Sequence, residues 1–171
     1  MKTIIIYKSE TGFTKQYAMY IQEKLQCQCI DLKDVKKVNL DEYDLIVFGG
    51  SIMAGIIKGL KKVKSLIKNQ KFIVFSVGLT PQSFKDTIQK IQKDNSLEDV
   101  SFCYFEGGVN FDKLGFFSKK MLQMVKNNLK KEAEDEEAIE MIQRLSISKS
   151  YVNKESIQPL LKEVEKFTHN S

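Results

Sequence analysis

Three hydroxyl side chains and one glycine follow the first apolar segment of the chain. Residues 9–14 read SETGFT, so Ser9, Thr11 and Thr14 offer neutral hydrogen-bond donors. Gly12 lacks the Cβ that would keep a ligand away from the backbone. If a helix begins directly after this loop, its unpaired N–H groups and the positive end of its dipole face the same point. The segment therefore predicts a site for a terminal phosphate, with a ligand-free helix cap as the alternative.

The best-known phosphate-binding motifs do not match this loop. A P-loop requires G-x-x-x-x-G-K-[ST], and a dinucleotide-binding turn requires G-x-G-x-x-G after the strand. SETGFT contains neither pattern and no lysine. A nucleoside triphosphate would need that positive charge and a magnesium ion beside it. Hydroxyls, N–H groups and a helix end instead suit a single terminal phosphate.

Two further segments combine small residues with the end of an apolar run. GGSIMAG covers residues 49–55, and SVGLTP covers residues 76–81. Small residues at Gly49, Gly50, Ala54 and Gly55 would permit close approach of the backbone to a flat ring. Peptide groups there can form hydrogen bonds with the edge of such a ring. A flexible glycine-rich connection is the alternative for 49–55.

The apolar pattern predicts the elements that position these loops. Continuous apolar runs indicate buried strands at 2–7, 27–32, 44–50, 71–78 and 100–108. Apolar residues at helical spacing indicate helices at 13–26, at about 57–67, from Pro81 to about Asp94, and at about 154–168. Asn153 is the predicted N-cap of the last helix, and Pro159 indicates that this helix starts later or bends there.

Alternating strands and helices predict one α/β domain over residues 1–171. We expect three layers, α/β/α, around a doubly wound, five-stranded parallel sheet of order 2-1-3-4-5. In such sheets a ligand binds outside the carboxyl ends of the strands, next to the first strand. The three unusual loops, at 8–14, 49–59 and 77–83, all lie at that edge.

A long segment after the fifth strand interrupts the alternation. Residues 109–152 far exceed a usual strand-to-helix connection. They contain a basic, aromatic stretch, FDKLGFFSKKMLQMVKNNLKK, and then an acidic one, EAEDEEAIE. The apolar residues of the first stretch predict a largely helical insert because they fall at helical spacing: Leu114, Phe117, Met121, Met124, Val125 and Leu129.

The composition of the chain argues against nucleic-acid binding and against a membrane-spanning segment. The net charge of +5 comes from 27 basic and 22 acidic residues spread along the chain, so no clustered nucleic-acid-binding face is expected. No apolar run approaches the roughly 20 residues that span a bilayer. We therefore expect a cytoplasmic protein without a transmembrane segment.

The metal-binding and nucleophilic residue types are sparse. The single histidine, His169, argues against a His-based metal site and a Ser/His/Asp triad. Cys27, Cys29 and Cys103 match neither a zinc spacing nor a disulfide framework, and we expect them to be small buried hydrophobes. No metal site and no catalytic side chain is predicted.

The three loops together resemble a known family. S-x-T-G-x-T after the first parallel strand resembles the FMN phosphate loop of flavodoxins, GGSIMAG resembles their second loop, and SVGLTP resembles their third. The resemblance covers essentially the whole chain in element order. It implies a non-covalent FMN with its phosphate held by Ser9, Glu10, Thr11, Gly12, Phe13 and Thr14. It further implies that Ser51, Ile52, Met53, Ala54 and Gly55 line one side of the ring and its N5 edge. The pyrimidine end would meet the backbone of Val77, Gly78, Leu79 and Thr80.

Two departures from classical flavodoxins bear on function. The third loop, GLTPQS at 78–83, has no aromatic residue to stack on the outer face of the flavin, and the chain is basic whereas classical flavodoxins are commonly acidic. The insert resembles the extended connection of flavodoxin-like protoporphyrinogen dehydrogenases, which is linked to substrate or quinone access. Both departures weaken the interpretation as a pure electron carrier. We expect an FMN-binding redox protein that exchanges electrons with a redox partner protein or a small-molecule substrate. The alternative is an FMN-dependent enzyme acting on a tetrapyrrole such as protoporphyrinogen IX, and a cofactor-free binding module ranks third.

The insert has a functional and a structural interpretation. In the first, Phe111, Phe116 or Phe117 covers the ring, and one of three lysines (Lys113, Lys119 and Lys120) meets propionate groups of the substrate. In the second, an extra amphipathic helix packs on the domain. Weak contact with a membrane surface is a further alternative, but six acidic residues between 132 and 140 argue against strong binding to anionic lipid.

Overall fold

A mostly parallel β-sheet forms the centre of the molecule, and the computed structural model describes residues 1–132 and 135–169. The strands are β1 (Thr3–Lys8), β2 (Gln28–Asp31), β3 (Leu45–Met53), β4 (Ile56–Ile57), β5 (Lys71–Gly78), β6 (Ser101–Glu106), β7 (Gly108–Val109) and β8 (Lys149–Ser150). The order β2-β1-β3-β5-β6 is parallel throughout, and β4 pairs antiparallel with β3. Since β5 and β6 are the fourth and fifth predicted strands, the order 2-1-3-4-5 is confirmed.

Helices cover both faces of this sheet. They are α1 (Phe13–Leu25), α2 (Leu60–Lys64), α3 (Lys85–Asp94), α4 (Phe116–Leu129), α5 (Glu136–Arg144) and α6 (Gln158–His169). Successive residues of β1 point to opposite faces. Ile4 joins a buried cluster with α2 and α3, whereas Ile5 joins a second cluster with α1 and α6. Both faces are apolar, so the continuous runs of the sequence are strands buried on both sides, and the three-layer fold is confirmed.

The predicted helix at about 57–67 is wrong in extent. Ile57 instead pairs with Ile52 in the β3–β4 ladder, and α2 has five residues. Gly59 has φ +85°, and a Cβ there would stand 2.6 Å from a methyl carbon of Leu32. The chain therefore changes direction at Gly59, which only glycine allows without strain. Hydrophobic spacing does not reveal this change.

The last helix begins later than its first apolar residue, as Pro159 indicated. Asn153 caps a short 3₁₀ turn at Lys154–Ile157, where its Oδ1 accepts a hydrogen bond from the Glu155 N–H at 3.0 Å. The α-helix α6 then begins at Gln158. Pro159 lies in its first turn, where a missing N–H removes no intrahelical hydrogen bond.

The insert is helical, as predicted, and its two ends are held together. β7 and β8 pair antiparallel at its base, with Gly108 opposite Ser150 and Val109 opposite Lys149. The Tyr151 N–H donates to the Gly107 carbonyl at 2.7 Å beside this pair. The segment between them contains α4 and α5, so both helices project from a fixed base next to the carboxyl end of β6.

Candidate functional site

The first loop turns directly into α1. Gly12 is the N-cap residue with φ +102°, and its N–H donates to Ser9 Oγ at 3.2 Å. The N–H groups of Phe13 and Thr14 have no acceptor among the described residues. Thr14 is 1% exposed, and its hydroxyl has no partner in the same part of the chain. Buried donors without partners are rare, so this loop is suited to an anion.

The second predicted loop is largely strand. β3 continues through Met53, and only Ala54 and Gly55 form the turn to β4. Both residues have positive φ, at 49° and 78°, as in the type I′ turn of a two-residue hairpin. Ser51 stands in β3, and its buried Oγ has no hydrogen-bond partner among the described residues. The predicted loop at 49–59 is therefore corrected to the end of β3, a tight hairpin turn at Ala54 and Gly55, and the short strand β4.

The glycine pair before this hairpin serves packing within the sheet. A Cβ on Gly49 would stand 2.0 Å from the Phe75 ring, and a Cβ on Gly50 would stand 2.8 Å from the Lys58 carbonyl oxygen. Their predicted role in approach to a flat ring is wrong. Gly55, by contrast, has open space beside it.

Asn95, which the sequence patterns did not single out, braces the hairpin. Its Nδ2 donates to the Gly55 carbonyl at 2.8 Å, and its Oδ1 accepts from the Ile57 N–H at 2.9 Å. The residue follows α3 immediately, as its C-cap. An amide at a helix end is common in sequences, so no local signal distinguishes this function.

In the third loop, backbone carbonyl groups accept hydrogen bonds from other residues, whereas two backbone N–H groups have no acceptor among the described residues. The carbonyls of Gly78, Leu79 and Thr80 accept hydrogen bonds from the Gly107 N–H at 2.7 Å, Arg144 Nη1 at 3.3 Å and Tyr104 Oη at 2.8 Å. The Leu79 and Thr80 N–H groups have no acceptor within residues 1–132 and 135–169. The loop therefore presents two peptide donors, as the predicted contacts with a pyrimidine edge require.

The three segments meet around two adjoining cavities. The smaller, of about 100 Å³, lies at the carboxyl ends of β1, β3 and β5. The residues of the predicted cofactor site that line this cavity are Glu10, Thr11, Phe13, Thr14, Ser51, Ile52, Met53, Val77, Gly78 and Leu79. The larger, of about 400 Å³, reaches along the hairpin to α3. The residues of the predicted cofactor site that line this larger cavity are Ile52, Met53, Ala54, Gly55, Gly78, Leu79 and Thr80. Ser9 and Gly12 line neither cavity but shape the turn that leads into the smaller one.

Aliphatic and methionine side chains of the insert cover these cavities. Leu122 of α4 borders both, and the larger one is further lined by Met121, Val125, Met141 and Leu145. Phe116 and Phe117 are 86% and 67% exposed and border neither cavity. Phe111 does not border them either. The interpretation of the insert in which one of these aromatic residues covers the ring is therefore not supported, and the alternative, an amphipathic helix packed on the domain, fits the inward side chains of α4.

Glu10 joins the first loop to the insert. The Ser118 hydroxyl of α4 donates to Glu10 Oε1, and Lys58 Nζ lies 2.8 Å from Glu10 Oε2. Partial burial raises the pKa of Glu10, but the hydrogen bonds from Lys58 and Ser118 outweigh it, so the pKa lies below its ordinary value. The carboxylate is therefore ionised at neutral pH and already paired.

Arg144 joins the third loop to the other end of the insert. Its guanidinium lies 2.6 Å from Glu106 Oε2 and 3.0 Å from Glu140 Oε1, in addition to its bond with the Leu79 carbonyl. It also stacks over the Tyr151 ring, 4.2 Å from the centroid. Arg144 is the single arginine of the chain. That rarity is a signal that could have marked it before the structure was known.

The remaining reactive groups lie outside this chemistry. Burial raises the pKa of Cys27 to about 11, of Cys29 to about 12 and of Cys103 to about 11, so these thiols are protonated at neutral pH. The described residues contain no group of three or more His, Cys, Asp or Glu side chains that could hold a metal ion. In the same residues, no helix has both the length and the apolar character to cross a membrane.

Comparison with known proteins establishes the family. The family model for the flavodoxin domain (Flavodoxin_5) matches residues 4–136. The chain belongs to the flavodoxin family. A curated relative, the flavodoxin-like domain-containing protein BilS of Clostridioides difficile (strain CD3), is 30% identical over 116 residues. This match covers 60% of the chain and 65% of BilS, so the chain spans slightly less than two thirds of that relative.

Solved structures with a similar fold include two proteins of low sequence identity. A flavodoxin from the domain Archaea has a TM-score of 0.44 at 18% identity, with 86% of this chain and 100% of that chain covered. The Trp repressor binding protein from Bacillus subtilis has a TM-score of 0.45 at 15% identity, with 66% and 88% covered. At these scores the likenesses carry no functional argument.

Membership of the flavodoxin family supports a flavin-binding redox protein. It gives no support to the alternative of a protoporphyrinogen dehydrogenase, which rested on the resemblance of the insert to the extended connection of that family. Two of the three aromatic residues considered as a cover for the ring, Phe116 and Phe117, also face solvent.

Proposed function

We propose that this protein binds FMN non-covalently and transfers electrons through it. The observation that carries the proposal is the head of α1. There, the Phe13 and Thr14 N–H groups lack partners in the described chain, and both residues border the smaller cavity, with Thr14 only 1% exposed. A helix N-terminus with additional hydroxyl donors binds a phosphate dianion without a cation from the loop itself.

The residues around the cavities fit the rest of the cofactor. The Ser51 hydroxyl is buried without a partner at the edge shared with the first loop, so it is available to a polar ligand. Ile52, Met53, Leu79 and Leu122 supply apolar surface for a flat ring. The larger cavity, of about 400 Å³, lies within the usual range of about 300–1,000 Å³ for ligand pockets.

Each part of the site has a separate task. When bound, the flavin supplies the electron-transfer chemistry, and the protein supplies binding, orientation and electrostatics. The first loop holds the phosphate, and the Leu79 and Thr80 N–H groups orient the pyrimidine edge. Met121, Val125 and Met141 exclude water from the outer face of the ring. No side chain of these segments is assigned a proton-transfer function.

The partner in this proposal is a redox protein that exchanges electrons with the bound flavin. A small-molecule electron acceptor such as a quinone is the second candidate, favoured by the apolar lining that α4 and α5 add to the larger cavity. A cytoplasmic location is part of the proposal, supported by the three free cysteines.

A titration of the purified protein with FMN, followed by absorption and by quenching of flavin fluorescence, tests the proposal. We expect saturable binding, and Thr11→Asp should weaken FMN binding at least about tenfold because it places a carboxylate beside the phosphate. Riboflavin has no phosphate and serves as the ligand control, so its affinity should change much less. Absence of flavin binding by the wild-type protein would refute the proposed function. Equal weakening of both ligands would instead move the phosphate site elsewhere.

A further inference from the structure

A lysine of the insert lies beside the phosphate loop. Lys113 Nζ is 3.9 Å from the position that a Cβ on Gly12 would take. Gly12 is the N-cap of α1 and lies at the centre of SETGFT. We infer that Lys113 supplies the positive charge that pairs with the FMN phosphate, so that a residue outside the three loops completes the phosphate site. This inference rests on the FMN-binding function proposed above.

The backbone around Lys113 is fixed in this position. Residues Phe111–Lys113 form a 3₁₀ turn, in which the Lys113 N–H donates to the Asn110 carbonyl at 3.1 Å. Asn110 Oδ1 also accepts from the Asp112 N–H at 3.2 Å, and Ser148 Oγ accepts from the Phe111 N–H at 3.1 Å. The turn is thus tied to itself and to the end of the insert.

The residues after Lys113 face the same loop. Leu114 lines the smaller cavity together with Thr11 and Thr14. Ser118, one helical turn further, donates to Glu10. Three contacts in six residues therefore orient this part of the insert towards the head of α1. The direction of the Lys113 side chain agrees with that of its neighbours.

The charges of the loop leave Lys113 available. Glu10 is the acidic residue of SETGFT, and its carboxylate is paired with Lys58 at 2.8 Å. Lys113 forms no ion pair within the described residues. The remaining donors of the loop are neutral hydroxyl and N–H groups. A dianionic phosphate placed there would meet the uncompensated ammonium of Lys113 in addition to the helix dipole.

Two consequences follow for ligand selection. The cation would raise affinity for FMN but not for riboflavin, which lacks the phosphate. Because Lys113 is exposed, this contribution would weaken as ionic strength rises. FMN would also hold the insert against the loop, because the phosphate would touch both.

Matched variants of exposed lysines test the inference. Lys113→Gln removes the charge, and Lys113→Arg keeps it. Lys120→Gln removes one charge from α4, on the helix face opposite Ser118, because two residues along a helix correspond to about 200° of rotation. Dissociation constants for FMN and riboflavin are measured by fluorescence quenching at low and high salt. Unfolding temperatures of the ligand-free variants check the fold.

The expected result is specific to one variant and one ligand. Lys113→Gln should weaken FMN binding about tenfold, equal to about 1.4 kcal/mol, and should flatten its salt dependence. Its riboflavin affinity should equal that of the wild type. Lys113→Arg and Lys120→Gln should retain FMN affinity within about twofold of the wild-type value.

Three other results would overturn the inference. Unchanged FMN affinity in Lys113→Gln would show that the ammonium is merely solvated. Equal weakening of FMN and riboflavin would assign Lys113 to the packing of the insert. Equal loss in Lys113→Gln and Lys120→Gln would indicate a general field effect of the basic insert. If the wild-type protein binds no FMN, the proposed function is refuted and the inference about Lys113 with it. The three results above differ from this one because in each of them the wild-type protein still binds FMN.

Discussion

Replacement of Arg144 by alanine should separate the insert from the third loop. The guanidinium contacts the Glu106 carboxylate at 2.6 Å, the Glu140 carboxylate at 3.0 Å and the Leu79 carbonyl oxygen at 3.3 Å. Only 13% of its side chain is exposed, against 24% for Glu106. Alanine would leave the Glu106 carboxylate partly buried with one remaining partner, the Gln82 N–H at 2.9 Å.

The size of the effect follows from that partial burial. Removal of one partner from a fully buried ion pair costs about 3–5 kcal/mol, whereas an exposed pair contributes about 0.2–1 kcal/mol. Arg144 and Glu106 lie between these limits. We therefore expect Arg144→Ala to lower the free energy of unfolding by about 2–3 kcal/mol. Arg144→Lys should recover little of this loss, because an ammonium cannot reproduce the planar, branched contacts of the guanidinium.

A double-mutant cycle measured by urea unfolding at pH 7 tests this magnitude. Arg144→Ala, Glu106→Gln and the double variant should give a coupling energy of about 1.5 kcal/mol or more. Lys90 and Asp94 form an ion pair one turn apart on α3 with 72% and 42% exposed side chains, and the same cycle there should give about 0.3–0.5 kcal/mol. A coupling at Arg144 no larger than that of this control pair would refute the reasoning. FMN affinity should fall with Arg144→Ala because the Leu79 carbonyl loses its partner.

Two further predictions concern the base of the insert and its other contact. A Cβ on Gly108 would stand 2.2 Å from the Lys149 carbonyl oxygen. Gly108→Ala should therefore destabilise the fold by about 1–3 kcal/mol and make the insert more susceptible to limited proteolysis. An unchanged cleavage pattern would contradict this prediction. The pKa of Glu10 lies below its ordinary value of 4.5, so its stabilising effect is present above that pH and is lost as the pH falls through the lowered value. Glu10→Gln should therefore lower the unfolding temperature at pH 7, with the difference from the wild type shrinking below about pH 4.5; a difference independent of pH would exclude the ionised contacts with Lys58 and Ser118 as its cause.

Local patterns in the sequence were sufficient for the sheet and for the positions of the three site segments. Strands of parallel sheets that are covered on both faces read as near-continuous apolar runs, so the runs at 2–7 and 71–78 predicted the layered fold. The hydroxyl-rich turn was equally readable, because a helix N-terminus leaves its N–H groups unpaired wherever it lies. The helical content of the insert followed from its apolar spacing.

Contacts between distant residues explain the predictions that were wrong. Gly49 and Gly50 were predicted to let the backbone approach a flat ring. In the structure, the Phe75 ring and the Lys58 carbonyl fill the space that a Cβ at these positions would need. One interpretation of the insert placed Phe116 or Phe117 over the ring, but in α4 Leu122 borders the cavity and both aromatic side chains are exposed. In each case the function of a residue depends on which segment packs against it. The neighbouring residues in the sequence do not identify that segment.

The sequence by itself determined that this protein is a parallel α/β domain with an anion-suited turn, because strand burial, helical periodicity and capping are properties of neighbouring residues. The motifs of its three loops added the resemblance to flavodoxins. Only the tertiary structure decided that the insert covers the site, that Ser118 and Arg144 fix its two ends, and that Lys113 lies beside Gly12. Those contacts join residues 38 to 108 positions apart. They exist because the β7–β8 pair folds the long connection back over the carboxyl edge of the sheet.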